Sequence, residues 1–578
     1  MDAKAHVAAL LRDALAKVAP DAADAEIVLE RPREAAHGDF ACSVALQLAK
    51  RLKRNPRQLA EALAAAMRAL PAFADGTVAS VDVAGAGFIN VRLAQRAKHS
   101  VVARALAEGA DFGRGRPQRA ERIQVEFVSA NPTGPLHVGH GRCAAYGASL
   151  ASVLAFAGHE VQREFYINDA GRQMDILALS VWLRYLEGQG AAVAFPEDGY
   201  RGDYVREIAT ALTAAHGAKL ARDAAALPAA APGVDPDAAL DALIARAKAL
   251  LGDGWRTLHG LALERMLADQ KDDLAGFRVA FDRWFSEQSL YDSGAVAQIV
   301  ARLSERDHLY EKDGALWFRS SAFGDEKDRV VRRENGQYTY FASDIAYHAD
   351  KFARGYDRVV DVWGADHHGY IARVRGALAA LGLDPERLTV ALYQFAVLYR
   401  GGEKIAMGKR SGEFVTLREL RREVGDDAAR FFYVLRKSDQ HLDFDLDLAK
   451  SESTDNPVYY VQYAHARVCS VFAQWGGAAA ALRGAALDLL GGERELALMQ
   501  RLAEFPQAVE AAARELAPHS IAFYLRSLAG EFHSYYNAER ILVEDEALRA
   551  ARLALCAAVR QALANGLALL GVSAPEKM

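Results

Sequence analysis

Ala130-Asn131-Pro132-Thr133-Gly134-Pro135-Leu136-His137-Val138-Gly139-His140 decides how the middle of this chain is interpreted. Before it, the apolar residues 123–128 predict a β-strand, and after it residues 138–156 are rich in helix formers. The stretch is therefore a Pro- and Gly-rich turn between a strand and a helix. Such a turn directs backbone N–H groups and the positive end of a helix dipole to a place where a triphosphate can bind.

Two histidines and a glycine in this turn are candidate ATP-binding residues. His137 and His140 can donate hydrogen bonds to phosphoryl oxygens as charge develops in a transition state. Gly139 has no Cβ atom, so an adenine ring can approach the backbone closely there. The spacing alone also allows a chance match or a pair of metal ligands, but the strand-turn-helix context favours a nucleotide site. The stretch resembles the ATP-binding signature of class I aminoacyl-tRNA synthetases.

The alternation of strands and helices around this turn predicts a doubly wound parallel sheet. The predicted strands are 123–128, 161–167, 338–342, 358–363 and 388–399, and the first predicted helices are 138–156 and 171–186. The expected fold class is α/β: a Rossmann-like catalytic domain split by an insertion, with an N-terminal α+β domain and a C-terminal helix bundle. Within the insertion, the Ala- and Pro-rich residues 223–239 predict a mobile loop.

A second basic stretch, Lys404 to Gly412, resembles the mobile K-M-S-K-R loop of the same enzyme class. Met407 and Lys409 match that loop, whereas Ala406 stands where its first lysine belongs. Lys409 is the candidate to contact the departing pyrophosphate, because lysine is a compact charge on a flexible stem. Whether Lys404 compensates for the missing lysine stays open, and a solvated basic turn is the alternative.

Four stretches resemble the bacterial arginyl-tRNA synthetases over almost the whole chain: residues 125–134, 338–348, 364–370, and 443–450 with 455–467. The resemblance implies ATP-dependent ligation of L-arginine to tRNA(Arg) through an arginyl-adenylate, with Mg²⁺ brought by ATP. It also implies an N-terminal domain that binds the corner of the tRNA and a C-terminal domain that binds the anticodon. Two alternatives remain: a nucleotidyltransferase of this fold that uses no tRNA, and a non-catalytic tRNA-binding paralogue.

The same resemblance implies roles for further residues. A guanidinium group has five donors and no acceptor, so its pocket needs a carboxylate. Asp344, with Tyr340 four positions earlier, matches the guanidinium-binding pair, although an aspartate there can also cap a helix. The remaining matches place Glu126, Ser129 and Asn131 at the arginine site, with Glu126 and Asn131 at its α-amino end. Asp366 and His367, assigned to the ATP site, lie at a strand's carboxyl end, where they would face the ribose or the amino acid.

The length of 578 residues predicts several domains, since one core rarely supports more than roughly 250–300 residues. The predicted division is 1–112 (tRNA-binding), 113–190 and 331–412 (catalytic halves), 191–330 (insertion), 413–450 (linking segment) and 451–578 (anticodon-binding). No signal core or membrane span is recognisable, which predicts a cytoplasmic protein, and we expect a monomer. The four cysteines are far apart, so neither disulfides nor a thiolate metal site is expected.

The net charge of −5 means that RNA binding would need local basic or aromatic surfaces. Two basic clusters, at 50–57 and 114–119, are candidates for phosphate contacts, with solvated helix ends and linkers as the alternative. Five tyrosines in the last domain are candidates for stacking on anticodon bases, of which at most two are expected to do so: Tyr459, Tyr460, Tyr463, Tyr535 and Tyr536.

Overall fold

The computed structural model describes residues 3–32, 34, 37–227, 235–405 and 415–578. The N-terminal part has three helices and a four-stranded antiparallel sheet with a core of its own. The elements are α1 (Ala3–Val18), β1 (Leu29–Glu30), β2 (Phe40–Cys42), α2 (Val44–Leu52), α3 (Pro56–Arg68), β3 (Val78–Ala84) and β4 (Phe88–Leu93). Helix α4 (Gln95–Glu108) then leads into the central domain.

Five parallel strands form the central sheet: β5 (Arg122–Glu126), β6 (Glu160–Ile167), β7 (Arg283–Ser286), β11 (Arg358–Gly364) and β12 (Leu388–Tyr393). Their order across the sheet is β12-β11-β5-β6-β7. The chain therefore runs outward from β5 in one direction and from β11 in the other. In such sheets ligands bind beyond the carboxyl ends of the two strands where the order reverses, here β5 and β11.

Four helices connect the strands of this sheet: α5 (Val138–Phe156), α6 (Arg172–Gly188), α12 (Tyr340–Ala353) and α13 (Ile371–Ala380). The sequence prediction of a strand at 338–342 is wrong, because α12 begins at Tyr340 and only Tyr338 forms an isolated bridge, with Arg332. The aromatic and threonine residues there favour a strand locally. The buried positions Phe341, Ile345 and their neighbours instead follow the helical period, and tertiary packing decides.

Between β6 and α12 the chain forms two smaller units. Helices α7 (Asp203–His216), α8 (Pro236–Leu251) and α9 (Asp253–Gly276) pack with α6 around a separate core. After β7 come α10 (Gln288–Asp292), α11 (Ala295–Glu305), and an antiparallel sheet of β8 (Leu309–Lys312), β9 (Ala315–Phe318) and β10 (Arg329–Arg332).

Two sequence predictions about the insertion need correction. Strand β7 falls inside the range 191–330 but pairs in parallel with β6, so the central sheet resumes before residue 331. The loop predicted at 223–239 is helical at both described ends, since a short 3-10 helix spans Ala224–Ala226 and α8 begins at Pro236. Asp235 caps α8 by accepting a hydrogen bond from the Ala238 N–H. Residues 228–234 of this predicted loop lie outside the described residues.

The predicted strand 388–399 is two strands in two sheets. β12 ends at Tyr393, and β13 (Ala396–Arg400) begins three residues later. β13 pairs with β14 (Glu403–Lys404) and with β15 (Leu442–Asp445) in a three-stranded sheet. The break at Gln394 and Phe395 lies at the carboxyl edge of the central sheet.

The remaining helices form the linking segment and the C-terminal bundle. They are α14 (Leu417–Val424), α15 (Asp426–Val434), α16 (Leu446–Lys450), α17 (Pro457–Trp475), α18 (Glu493–Ala503), α19 (Phe505–Arg514), α20 (His519–Ala538) and α21 (Glu546–Leu569). Asn456 starts α17 by accepting from the Val458 N–H, with Pro457 in the first turn. None of the described helices combines the length and apolarity needed to cross a bilayer.

One hydrophobic core is shared by the central sheet and the C-terminal bundle. The Tyr146 hydroxyl of α5 donates to the Leu516 carbonyl at 2.8 Å, and the Ser149 hydroxyl lies 3.4 Å from the Leu570 carbonyl. The Asn565 amide of α21 donates to the Phe112 carbonyl at 2.9 Å, just before β5. The last helix of the chain therefore supports the helix that begins at the histidine turn.

Candidate active site

The histidine turn lies at the carboxyl end of β5 and begins α5. His137 is the first, capping residue of the helix, and its Nδ1 accepts a hydrogen bond from the Gly139 N–H at 3.1 Å. The His140 Nδ1 accepts from the His137 N–H at 3.2 Å, and the two rings stack with centroids 3.7 Å apart. Because each Nδ1 acts as an acceptor, the neutral imidazoles carry their protons on Nε2. In this tautomer Nε2–H is the donor group of each half-buried ring.

Phe395 covers the glycine of this turn. A Cβ atom on Gly139 would lie 3.0 Å from Phe395 Cδ1 and 2.8 Å from His137 Cε1. The Phe395 ring is 45% exposed and also approaches Gly364 at the end of β11. In this arrangement the Phe395 and His137 rings lie beside the Cβ position of Gly139, and the approach of adenine to the Gly139 backbone stays a prediction.

The lysine stretch lies mainly outside the described residues, and with it Ala406, Met407, Lys409 and the rest of 406–414. The residues on both sides of this segment are described. The Ile405 N–H donates to the Leu398 carbonyl at 2.9 Å, and Lys404 is exposed on β14. On the other side, the Val138 N–H donates to the Val415 carbonyl at 3.2 Å. The chain therefore returns from the lysine stretch directly beside the histidine turn.

Asp344 lies in the second turn of α12, one helical turn after the exposed Tyr340. Both residues lie in the helix and not in the strand predicted at 338–342, and the four-residue spacing places their side chains on one helix face. The Asp344 carboxylate accepts a hydrogen bond from the Tyr370 hydroxyl. Burial raises the pKa of Asp344 above its usual range, although the Tyr370 hydrogen bond opposes this effect. Asp344 does not cap the helix, which begins four residues earlier.

A second carboxylate, Glu287, adjoins Asp344 and was missed in the sequence analysis. Glu287 follows β7 and is 2% exposed, and its Oε1 accepts from the Ser343 hydroxyl at 2.8 Å. Within the described residues its Oε2 is buried without a well-formed hydrogen bond, although the Tyr166 hydroxyl also acts on this carboxylate and lowers its pKa. Burial raises the pKa of Glu287 to about 7, with smaller contributions from nearby charges that include Asp344. A buried acceptor without a well-formed hydrogen bond is rare in folded proteins and indicates a place for a donor.

The signal for Glu287 was present in the sequence but weak. A carboxylate directly after a strand of the central sheet is a candidate ligand-binding residue. Strand β7 has only four residues and lies within the predicted insertion, so the sequence pattern does not identify its carboxyl end. Aromatic residues surround the two carboxylates, and the charges of both act on Tyr166 and Tyr291.

The residues expected at the other end of the arginine site, Glu126, Ser129 and Asn131, all lie at or just after the end of β5. Glu126 Oε1 accepts from the Ser129 hydroxyl at 2.8 Å, and Oε2 accepts from the Lys351 ammonium group. Asn131 is exposed, and its Oδ1 accepts from Asn168 Nδ2 at 3.3 Å. Between them the backbone is strained, because Val128 has a φ of 69° and Ser129 one of 41°.

Asp366 and His367 lie in the turn Ala365–Tyr370 that directly follows β11. Their side chains are 63% and 62% exposed, and His367 Nε2 lies 3.6 Å from Asp366 Oδ2. This position, beside the carboxyl end of β5, is the edge of the sheet where the sequence analysis expected them. In the part of the chain that is described, no group of three or more His, Cys, Asp or Glu residues is arranged to hold a metal ion.

A ladder of rings and one guanidinium lies on the surface of the C-terminal bundle. The rings of Tyr459 and Tyr463 stack with centroids 5.8 Å apart, and the Arg467 guanidinium lies 4.4 Å from the Tyr463 ring. The same guanidinium lies 4.9 Å from the Tyr536 ring on α20. Tyr535 is fully buried and cannot stack on a base, which removes one of the five candidates.

The remaining tyrosine candidate and the basic clusters are mostly engaged within the protein. Tyr460 packs against His533 with centroids 4.6 Å apart. In the first cluster, Arg51 donates to the Asp21 carbonyl at 2.6 Å. In the second, Arg119 pairs with Asp357 at 2.5 Å. The described contacts of these two arginines favour the alternative in which the clusters are ordinary surface and linker residues.

Three family models match the chain. The "Arginyl tRNA synthetase N terminal domain" matches residues 5–93, and the "DALR anticodon binding domain" matches residues 461–578. The model of the catalytic domain of "tRNA synthetases class I (R)" matches residues 101–200 and 254–443. The gap between the two parts of this catalytic match contains all of α7 and all of α8.

The chain is also similar to whole proteins. It is 63% identical to an arginine–tRNA ligase of Aromatoleum aromaticum, over all of both chains. It is 61% identical to an arginine–tRNA ligase of Dechloromonas aromatica, again over all of both chains. Among solved structures, the arginyl-tRNA synthetase of Thermus thermophilus superposes over the full length of both chains with a TM-score of 0.77 and 25% identity.

Proposed function

This chain belongs to the arginyl-tRNA synthetase family, and we propose that the residues at the carboxyl ends of β5, β7 and β11 carry out its reaction. The protein is an aminoacyl-tRNA ligase that joins L-arginine to its tRNA with ATP as a substrate. The single observation that supports this site best is the pair of buried carboxylates, Glu287 and Asp344. The full-length match, including both terminal domains, does not fit a nucleotidyltransferase that uses no tRNA.

Glu287 and Asp344 bind the guanidinium group of arginine. Two adjacent carboxylates of raised pKa, one of them with an oxygen that lacks a well-formed hydrogen bond, provide acceptors without donors of their own when ionised. A planar guanidinium supplies the donors and the positive charge, and it lowers both carboxyl pKa values on binding. Tyr340, exposed one turn before Asp344, provides a ring against which the planar group can stack.

The α-amino end of arginine binds beside the end of β5. Glu126 supplies a carboxylate there, Asn131 an exposed amide, and Ser129 fixes the Glu126 side chain through its hydroxyl. The α-carboxylate then faces the crevice between β5 and β11. One of its oxygens attacks the α-phosphorus of ATP, the bond to pyrophosphate breaks, and arginyl-adenylate forms.

The histidine turn and the lysine stretch bind the triphosphate. The Nε2–H groups of His137 and His140 stabilise negative charge at the reacting phosphoryl group. Lys409 is six residues before Val415, which is hydrogen-bonded to the histidine turn, so the chain connects it closely to this site. Met407, Asp366 and His367 complete the ATP site, where the Phe395 ring offers an exposed face beside Gly139. Mg²⁺ arrives with ATP, because it binds mainly through phosphate oxygens.

The RNA binds to both terminal domains. The ladder Tyr459–Tyr463–Arg467–Tyr536 presents rings and a guanidinium on which unstacked anticodon bases can lie. The predicted domain division, with an N-terminal domain at 1–112 and an anticodon domain at 451–578, remains our proposal. We also propose that the protein acts in the cytoplasm, not at a membrane, and as a monomer. Sedimentation of the purified chain with tRNA would test the monomer, and fractionation of cells into cytoplasm and membranes would test the location.

Pyrophosphate release with each of the twenty amino acids, with and without tRNA, tests the assignment. Of the twenty amino acids, we expect only arginine to support turnover, and we expect this turnover to require both ATP and tRNA(Arg). Glu287→Gln should lose arginine selectivity, whereas Glu334→Gln, an exposed carboxylate in a surface turn, should not. Turnover with a different amino acid, or full arginine selectivity in Glu287→Gln, would contradict the proposed pocket.

A further inference from the structure

A buried ion network lies beneath the amino end of the proposed arginine site. Lys351 of α12 is fully buried, and its Nζ donates to Glu126 Oε2 on β5 and to Asp361 Oδ1 on β11, the latter at 2.7 Å. His348 Nε2 lies 2.9 Å from the second oxygen of Asp361. One helix thus joins the two strands at which the strand order reverses.

This network stabilises the core less than apolar side chains would. Burial alone would raise the pKa of Asp361, but the Lys351 ammonium and His348 lower it to about 2, so this carboxylate is ionised. Burying such charges costs desolvation free energy that apolar side chains of similar volume would not incur. Stability is therefore a weak explanation for a buried lysine at position 351. A stronger explanation is that its ammonium group holds another side chain in place.

Lys351 and Ser129 together fix the plane of the Glu126 carboxylate. One oxygen accepts from the Ser129 hydroxyl and the other from Lys351. A carboxylate has about four acceptor positions, so about two remain for a ligand. Glu126 is 8% exposed, which leaves one open edge for that ligand.

The same helix also carries the guanidinium-binding residue. Asp344, His348 and Lys351 are spaced by four and three residues and lie on one face of α12. His348 Nδ1 lies 2.7 Å from the Asp344 carbonyl oxygen, which links the network to that turn. A single rigid element therefore sets the distance between the two carboxylates that bind opposite ends of arginine.

We propose that Lys351 is a positioning residue that orients the Glu126 carboxylate towards the α-ammonium group of arginine. The inference rests on the proposed role of Glu126. It predicts that Lys351 acts on the recognition of the amino group and not on the guanidinium or on ATP. 5-Guanidinopentanoate, which is arginine without its α-amino group, is the probe that separates these contacts.

The test uses the full-length enzyme with bound tRNA and compares two double variants. Lys351→Met with Asp361→Asn removes the ammonium together with one carboxylate, so that no new unpaired charge remains beyond Glu126. Arg354→Met with Glu164→Gln is the matched control, because this ion pair, 2.8 Å between Nη2 and Oε1, also joins α12 to the sheet but through β6. Glu164 is fully buried, as Asp361 is.

We expect the Lys351 double variant to raise the KM for arginine about 10- to 100-fold and to change the KM for ATP less than about 2-fold, because one charge-assisted contact weakens. Inhibition by 5-guanidinopentanoate should be unchanged, and the Arg354 control should leave all three values near those of the parent. Equal effects of the two double variants, or weaker inhibition by the probe, would overturn the inference and leave a structural role. Glu126→Gln distinguishes failure of the proposed function from failure of the inference. If its KM for arginine does not rise, Glu126 does not bind the amino group. If its KM rises but that of the Lys351 double variant does not, Glu126 keeps its role and only the positioning by Lys351 is refuted.

Discussion

The affinity for arginine should depend on pH through Glu287. Its carboxyl group has a pKa raised to about 7, and only the ionised form offers all its oxygens as acceptors to a guanidinium. If arginine binds only when Glu287 is ionised, the apparent Kd is the intrinsic Kd multiplied by a factor. That factor is one plus the ratio of protonated to ionised Glu287. For a pKa of about 7, that factor rises about 10-fold when the pH falls from 8 to 6.

The same shift predicts the sign of an effect on stability. Because the folded pKa lies above the unfolded one, the folded protein binds more protons between about pH 4.5 and 7. The free energy of unfolding therefore falls as pH rises through this window, by an upper estimate of about 3 kcal/mol. Without arginine, Glu287→Gln should melt at a higher temperature than the parent at pH 8, but not at pH 4.5 or below.

Equilibrium dialysis of labelled L-arginine at pH 8, 7 and 6, without ATP, measures the first effect. Glu287→Gln should weaken binding at pH 8 roughly 10-fold or more, through loss of a charge-assisted hydrogen bond, and flatten the pH dependence. Glu334→Gln should keep both the affinity and the dependence of the parent. A pH-independent Kd in the parent, or a dependence that survives in Glu287→Gln, would refute the reasoning.

Four further predictions concern the other parts of the site. His140→Ala should lower kcat by about 10²- to 10³-fold in a folded enzyme, as is typical when one transition-state donor is lost, and near-normal turnover would remove His140 from that role. Asp344→Ala should raise the KM for arginine while ATP binding stays nearly intact, since a buried donor would lose its acceptor; an unchanged KM would move recognition elsewhere. Tyr463→Ala and Arg467→Ala should each raise the KM for tRNA(Arg) about 5- to 100-fold with little change in arginine affinity. The binding of tRNA by the parent should weaken steeply as the salt concentration rises. Tyr535→Ala should lower only the stability. ATP–pyrophosphate exchange should be very low until tRNA is added, and Lys409→Ala should abolish it. Lys404→Ala should abolish it only if Lys404 replaces the lysine that is missing at Ala406. Robust exchange without RNA would contradict this account of the lysine stretch.

Local sequence patterns predicted the parts of the site that depend on neighbours along the chain. The histidine turn and the following helix are local features, and the structure has this helix where the sequence predicted it. The four-residue spacing of Tyr340 and Asp344 likewise places them on one face of α12. Glu287 was missed because a four-residue strand carries almost no periodicity. The Lys351 network joins residues 225 positions apart, and no local pattern distinguishes a buried lysine on a helix from a solvated one. The strand predicted at 338–342 failed for the reverse reason, because local β-forming residues were overridden by packing along α12.

Helix α21 affects how the enzyme folds during its synthesis. Because Ser149 and Phe112 are hydrogen-bonded by Leu570 and Asn565, the support of the helix that begins at the histidine turn includes residues more than 400 positions further along the chain. The N-terminal domain has its own core and can fold while synthesis continues, whereas the core shared by α5 and α21 is complete only after α21 has emerged from the ribosome. We therefore expect a chain that stops before α21 to lack these contacts and to hold the histidine turn less firmly.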